Sequence, residues 1–327
     1  MPHIAELPLI GVVATGGTIA NTVGGRVAIE DVIGDVPQVH EHARFEVRHT
    51  SRVGSSELGL DDWDAIARAA AELAAMDEVA GVIVTHGTFT NEETTYLLHL
   101  TLKTDKPVVV VSSQRRHGTI GNDGDRNLVE AVRVAGSPDA RGHGVTTVLN
   151  EEIHSAREVL KTSGRPGGFR SGDLGILGYV DECAVAFYRT PLRRHTIRSE
   201  FEVADVARLP RVDVVYSTVG ADDATVNALV AAAQPAGIVV AGFSFDGTPP
   251  PAQLKALRQA SEGGVAVVLT NRGLGGRVPH PPDWSKLLDE PFLSGDTLAP
   301  QKARVLLALG LARTRDRREL QRFFDEY

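Results

Sequence analysis

The sequence predicts an α/β protein, with a larger amino-terminal domain on a mostly parallel sheet and a smaller carboxyl-terminal α/β domain. Three observations predict it. The chain has 327 residues, enough for two domains, and its 42% hydrophobic residues can fill a core in each. Short Val/Ile-rich runs alternate along it with longer helical patterns. Those runs are almost continuously apolar, the pattern of strands covered on both faces by helices.

Taken in order, residues 9–15 (LIGVVAT) read as a buried strand that stops at Gly16 and Gly17. Residues 61–76 read as an amphipathic helix, with Trp63, Ile66, Ala70 and Leu73 at helical spacing and Asp61 or Asp62 as a cap. A strand over 80–87, a helix over 91–103 and a strand over 107–113 follow. Such a sheet places binding loops at the carboxyl ends of its strands, so the loops after Thr15, Thr85 and Val111 form the expected active edge. The amino-terminal domain is expected to span 1–190. Residues 191–211, of mixed charge and without a sustained apolar period, read as a linker. Strands over 212–220, 237–244 and 264–271 then alternate with helical patterns in a second domain, 212–327, which closes with the apolar helical run 300–313.

Composition excludes several functions. There are 34 basic and 42 acidic side chains, a formal net charge of −8, and no basic run, which suits neither a phosphate backbone nor a nucleic-acid partner. No apolar run approaches the roughly 20 residues of a membrane span. The opening residues carry no basic segment ahead of a signal-length apolar stretch, so a cytoplasmic location is expected. Cys183 is the single cysteine, which excludes an internal disulfide and a cysteine-based zinc site. No HExxH or comparable ligand spacing occurs among the eleven histidines, so neither a metal nor another cofactor is expected.

Two strand ends carry hydroxyls. Thr15-Gly16-Gly17-Thr18 reads either as a Gly-rich turn with Thr18 as a helix cap, or as a lip where Thr18 is exposed beside free backbone amides. It matches neither GxGxxG nor GxxxxGK[ST]. Thr85-His86-Gly87-Thr88 delivers a second hydroxyl to the same edge, with His86 structural beside the strand. A threonine hydroxyl is a weak nucleophile and needs a base. Lys161 is a candidate base if burial lowers its pKa, although its spacing does not single it out and reads first as that of a surface lysine.

Taken together, TGGTIA, THGTFTNEET, KPVVVVSSQR, REVLKT, SGDTLAPQKARVLLALGLA and the terminal FFDEY resemble the L-asparaginase family, the bacterial threonine amidohydrolases. The similarity runs in order along essentially the whole chain. It implies that Thr18 is the first nucleophilic threonine, Thr88 the second, and Lys161 the base paired with Thr88. Ser55 corresponds to the serine that holds a substrate α-carboxylate. Gly17, Ser56, Gly87, Phe89 and Ser113 complete the expected binding residues. The family's mechanism is a two-step acyl transfer: a threonine attacks the side-chain amide, ammonia leaves, and water releases the acid. The resemblance also implies intimate dimers that pair into tetramers with shared active sites, and a small-molecule amide as substrate.

The chain departs from the family in three places. Phe89 stands where the family has an aspartate that grips the substrate α-ammonium. The lid after Thr18 looks shortened, since Asn21-Thr22-Val23-Gly24-Gly25 follows directly and the next tyrosine is Tyr96. In the smaller domain the expected asparagine turn reads Phe243-Ser244-Phe245-Asp246-Gly247. The acidic residue lent to a neighbouring subunit has only Asp283 as a counterpart. Phe89, Phe243 and Phe245 read either as pocket residues or as core packing. Arg115, Arg116 and His117 read as anion-binding or as a solvated loop. The expected function is hydrolysis of L-asparagine or a related amide, including an amide or lactam without a free α-ammonium. The alternative is a catalytically silent homologue that binds an amino-acid-like metabolite.

Overall fold

The computed structural model describes residues 7–51, 53–279 and 291–327, and the chain divides into two compact units after Ala207. Asp283 lies outside the described residues.

In the first unit the chain runs through β1 (Leu9–Ala14), the short strands β2 (Asn21–Thr22) and β3 (Gly25–Arg26), α1 (Ile29–Asp35) and β4 (Arg44–His49). It continues through α2 (Leu60–Ala75), β5 (Val79–Thr85), α3 (Asn91–Thr101), β6 (Val108–Val111), α4 (Gly124–Gly136) and β7 (Val145–Leu149). The strands β8 (Glu152–Ser155), β9 (Leu160–Lys161), β10 (Phe169–Arg170), β11 (Gly178–Val180) and β12 (Val185–Phe187) follow. Eight of these form one sheet in the order β12-β11-β8-β7-β6-β5-β1-β4. From β4 to β7 neighbouring strands are parallel; from β7 to β12 they are antiparallel. Apolar strands with helical crossovers account for the parallel part, and the strands β6 and β7 are buried along their whole length.

The order of connection positions the site. From β1 the chain passes to β4 on one side, then through α2 to β5 on the other. The direction of winding therefore reverses between β1 and β5, and at such a switch point the loops leave a crevice at the carboxyl ends. The strand ends are level there, Ala14 opposite Thr85 and Thr85 opposite Val111. Thr15 Oγ1 donates to the Thr85 carbonyl at 2.7 Å and the His86 amide to that of Val111 at 2.9 Å, so the three predicted loops leave one braced edge.

Helix α2 buries Trp63, Ile66, Ala70 and Leu73, the stripe its spacing predicts, and Trp63 Nε1 donates to Thr94 Oγ1 of α3 at 2.9 Å. Helix α3 is buried on all sides, and Asn91 in its first turn donates to Ser112 Oγ and accepts from Thr147 Oγ1. Residues 190–207 contain a short 3-10 turn and α5 (Val203–Val206), with Phe201 and Val206 buried.

The second unit is a four-stranded parallel sheet, β13 (Val212–Tyr216), β14 (Gly237–Gly242), β15 (Ala266–Asn271) and β16 (Leu293–Ser294), in that order. Helices α6 (Ala224–Ala233), α7 (Pro251–Glu262), α8 (Pro300–Arg313) and α9 (Arg317–Glu326) accompany it. Among the described residues no helix is long and apolar enough to cross a membrane, and no three His, Cys, Asp or Glu side chains are grouped to hold a metal ion.

Candidate active site

Two glycines bring the strand-end motifs together. Gly17 has φ +94°, and a Cβ built on it would lie 2.5 Å from the Gly87 amide nitrogen and 2.6 Å from the His86 carbonyl carbon. Only a residue without a side chain allows that approach. A Cβ on Gly87 would lie 2.4 Å from Ser55 Oγ, so the loop after β4 closes on the same point. Thr18 follows Gly17 and opens one turn of 3-10 helix, half-buried, while Thr88 follows Gly87 and is almost fully buried. Both hydroxyls thus sit next to contacting glycines.

Lys161 reaches this point from β9, held by its antiparallel pairing with β10. Its Nζ donates to Thr88 Oγ1 at 2.6 Å, and its backbone amide donates to Glu92 Oε2 at 2.6 Å. Burial lowers the Lys161 pKa from the usual lysine range, and the negative charge of Glu92 opposes that shift. Glu92, at the start of α3, fixes the segment that carries the lysine. Its sequence position signals only an acid favoured near a helix amino terminus.

Ser55 is buried; its Oγ accepts from the Phe89 amide at 3.2 Å and its carbonyl from Thr90 Oγ1 at 2.8 Å. Ser56 is exposed. The Ser113 hydroxyl is buried and donates to the Arg115 carbonyl at 3.0 Å, so it serves its own loop. His86 is fully buried, with Nδ1 2.7 Å from the Gly87 carbonyl oxygen, and burial pushes its pKa down to about 4. The neutral ring donates there and holds the peptide that precedes Thr88.

Phe89 is not core packing: it is 69% exposed, and Lys161 Nζ lies 4.6 Å from its ring centre. Phe245 is also exposed, while Phe243 is half-buried with the Arg272 guanidinium 4.8 Å from its ring centre. The segment after Thr18 is a tight hairpin, β2 against β3, closed by Thr22 Oγ1 donating to the Gly25 carbonyl at 2.9 Å. Tyr96 is buried within α3. A cavity of about 260 Å³ lies beside the strand ends, lined among others by Gly16, Arg26, His49, Ser51 and Thr85.

Of the anion-binding candidates, Arg115 donates to the Gly121 carbonyl and Arg116 is exposed. His117 is neither free nor solvated. Its Nδ1 lies 2.8 Å from Asp125 Oδ1 and its Nε2 3.2 Å from Asp35 Oδ2, and a ring already held by two carboxylates offers nothing to an anion.

A two-unit α/β chain whose strand-end hydroxyl is bonded to a lysine amine has the parts for nucleophilic acyl transfer. Comparison with known proteins gives the family. Residues 9–193 match the model described as Asparaginase, N-terminal, and residues 211–324 match that of the Glutaminase/Asparaginase C-terminal domain. The chain is 38% identical to L-asparaginase 2 of Bacillus subtilis over 98% of its own length and 87% of the relative's. It is 36% identical to the glutaminase-asparaginase of Pseudomonas fluorescens biotype A, over 98% and 91% of the two chains. It is 36% identical to a protein of Haemophilus influenzae named probable L-asparaginase periplasmic, over 99% and 95%. The chain belongs to the asparaginase family of amidohydrolases.

Proposed function

We propose that this protein hydrolyses a small amide through a threonine acyl-enzyme, with Thr18 as nucleophile and Thr88 with Lys161 as the second hydroxyl and its base. The observation that carries the reading is the 2.6 Å contact from Lys161 Nζ to Thr88 Oγ1. A lysine whose pKa burial has lowered is neutral more often near pH 7 and can take the hydroxyl proton. In the first half-reaction the Thr18 hydroxyl gives up its proton and its oxygen bonds to the amide carbon, the C–N bond breaks, and the nitrogen takes up a proton and leaves as ammonia. In the second, water adds to the ester carbon and frees Thr18 and the carboxylic acid. Ser55 holds a carboxylate end of the substrate.

L-asparagine and L-glutamine are the first substrates to test, following the names of the relatives. Phe89 favours an amide or lactam whose α-nitrogen is absent or acylated, because an aromatic ring offers an ammonium less than a carboxylate does. In this reading the protein acts in the cytoplasm as a homodimer or homotetramer with shared sites.

The test is ammonia release from L-asparagine, L-glutamine and their deaminated and N-acetyl analogues, with Thr18→Ala and Lys161→Met beside the wild type. Turnover of at least one amide, lost in both variants, supports the reading. Calorimetric binding of such ligands without any turnover would establish a silent homologue instead.

A further inference from the structure

We propose that His117 is a positioning residue for Thr18: its ring, held between the carboxylates of Asp35 and Asp125, fixes the peptide group that anchors the strand leaving the Thr18 turn. The inference rests on the reading of Thr18 as the nucleophile.

The chain of contacts is short. Thr18–Ala20 forms a single 3-10 turn, whose C-cap Asn21 donates its amide to the Thr18 carbonyl. The Asn21 carbonyl in turn accepts from the His117 amide at 2.9 Å, and the Val27 amide returns from β3 to the Ala20 carbonyl at 2.9 Å. The turn that carries Thr18 is therefore pinned on its outer side by the backbone of residue 117. That backbone is held by its own side chain, 8% exposed, which joins α1 through Asp35 to the first turn of α4 through Asp125. Asn122 Nδ2 donates to Asp125 Oδ2 at 2.9 Å and fixes the carboxylate that grips the ring. On the inner side, a Cβ built on Gly124 would lie 3.4 Å from Ile19, so α4 is also the wall against which the turn rests.

Both ring nitrogens face carboxylates, an arrangement satisfied only when both carry protons. Burial works against the ring charge, but the two carboxylates together outweigh it, so the pKa lies above the usual histidine value. The other charged groups around the loop are engaged or turned outward. The Asp123 carboxylate accepts from the Gln114 and Arg115 amides, Arg26 donates to Asn21 Oδ1, and Arg115 and Arg116 are exposed. A raised pKa means the clamp is complete below about pH 6.5 and is lost as pH rises through the folded-state value.

Only a positioning role moves two readouts together. The first is amide hydrogen exchange at His117, Asn21 and Val27, followed while the His117 ring is titrated by NMR. The second is the kcat against KM split. In the wild type the three amides lose protection, taken at each pH against their intrinsic exchange rate, as the ring loses its proton. In His117→Gln they are poorly protected at every pH, and kcat falls about tenfold with KM little changed, the mark of a misplaced reacting group. Should His117→Gln fail to fold, Asp35→Asn removes a carboxylate that is 70% exposed, and the ring then titrates at lower pH with the same amides loosened.

Protection factors that ignore the ring's protonation overturn the clamp. Loosened amides with an unchanged kcat overturn the positioning role. If Thr18→Ala keeps full activity while His117→Gln still loosens the turn, the proposed nucleophile is wrong and the clamp stands.

Discussion

The Lys161 ammonium stands over the face of Phe89, its Nζ 4.6 Å from the ring centre, while the same nitrogen donates to Thr88 Oγ1 at 2.6 Å. An aromatic face supports a cation, but by only about 0.5–1 kcal/mol where the ring is as open to water as this one. An adjacent carboxylate supports it far more. Lys161 in this chain therefore loses its proton more readily than a lysine beside an aspartate. Replacing Phe89 by Asp should raise the Lys161 pKa and move the rising limb of the pH–kcat profile to higher pH. The same variant should gain kcat/KM on L-asparagine relative to its deaminated analogue, because the new carboxylate can meet the α-ammonium. Phe89→Leu should move the limb the other way, by a fraction of a pH unit. Parallel profiles for the two variants would show that the ring has no part in tuning the base.

Removing either partner of the hydroxyl–amine pair should be severe. Lys161→Met removes the base, and rates for this class of proton transfer fall about 10²- to 10⁴-fold. Thr88→Ala should cost a similar factor, and the double variant little more than either single one, because the two side chains act as a unit. Thr88→Ser keeps the hydroxyl and should retain most of the activity. Steady-state kinetics on the best substrate found decides this, and additive losses in the double variant would contradict the coupling.

The approach of Gly17 to Gly87 makes a structural prediction separate from chemistry. Gly17→Ala places a methyl group 2.5 Å from a backbone nitrogen at φ +94°, and neither neighbour is the end of a flexible side chain. A strained left-handed residue costs about 1–3 kcal/mol before the clash is counted. Gly25, at φ +123° in the hairpin, would meet nothing within 4 Å, so Gly25→Ala carries strain alone. Thermal unfolding should show a clearly larger fall in Tm for Gly17→Ala than for Gly25→Ala. Equal falls would mean that the contact between the two motifs relaxes easily.

The legible parts of this protein were those whose signal is local. β1, β5 and β6 are uninterrupted apolar runs, α2 has a clean stripe, and the glycines that end β1 mark a sharp turn. Together they located the edge where Thr18 and Thr88 lie. β4 is not legible in the sequence because it borders the sheet: Arg44, Glu46, Arg48 and His49 give it a polar sequence with no buried residue. The antiparallel strands β8 to β12 have two to four residues each, too few to show a period. Lys161 could not be singled out from its neighbourhood, because its placement depends on Thr88, 73 positions away, and on Glu92. The same holds for His117, whose partners at 35 and 125 come from two helices. Side chains acting across the fold leave no periodic trace.

Two buried histidines should make the fold less stable in acid. His86 is fully buried, with its Nε2 unpartnered among the described residues; His195 is almost as deep, its ring centre 4.7 Å from that of His99 and its Nδ1 3.0 Å from Thr196 Oγ1. Burial pushes each pKa down to about 4, and for His195 the charges of Arg198 and His143 add to the effect. In the unfolded chain both titrate near 6.5. As pH falls below that value, the unfolded state binds protons that the folded state refuses, so stability declines from about 6.5 down to about 4 and the loss then levels off. For a single ring the loss amounts to roughly 3 kcal/mol across that window. Urea midpoints measured at intervals from pH 7 to 4 should therefore fall steadily. His195→Gln should be weaker at pH 7, where the ring packing is lost, yet fall less steeply on acidification. A variant as acid-sensitive as the wild type would place the sensitivity on other groups.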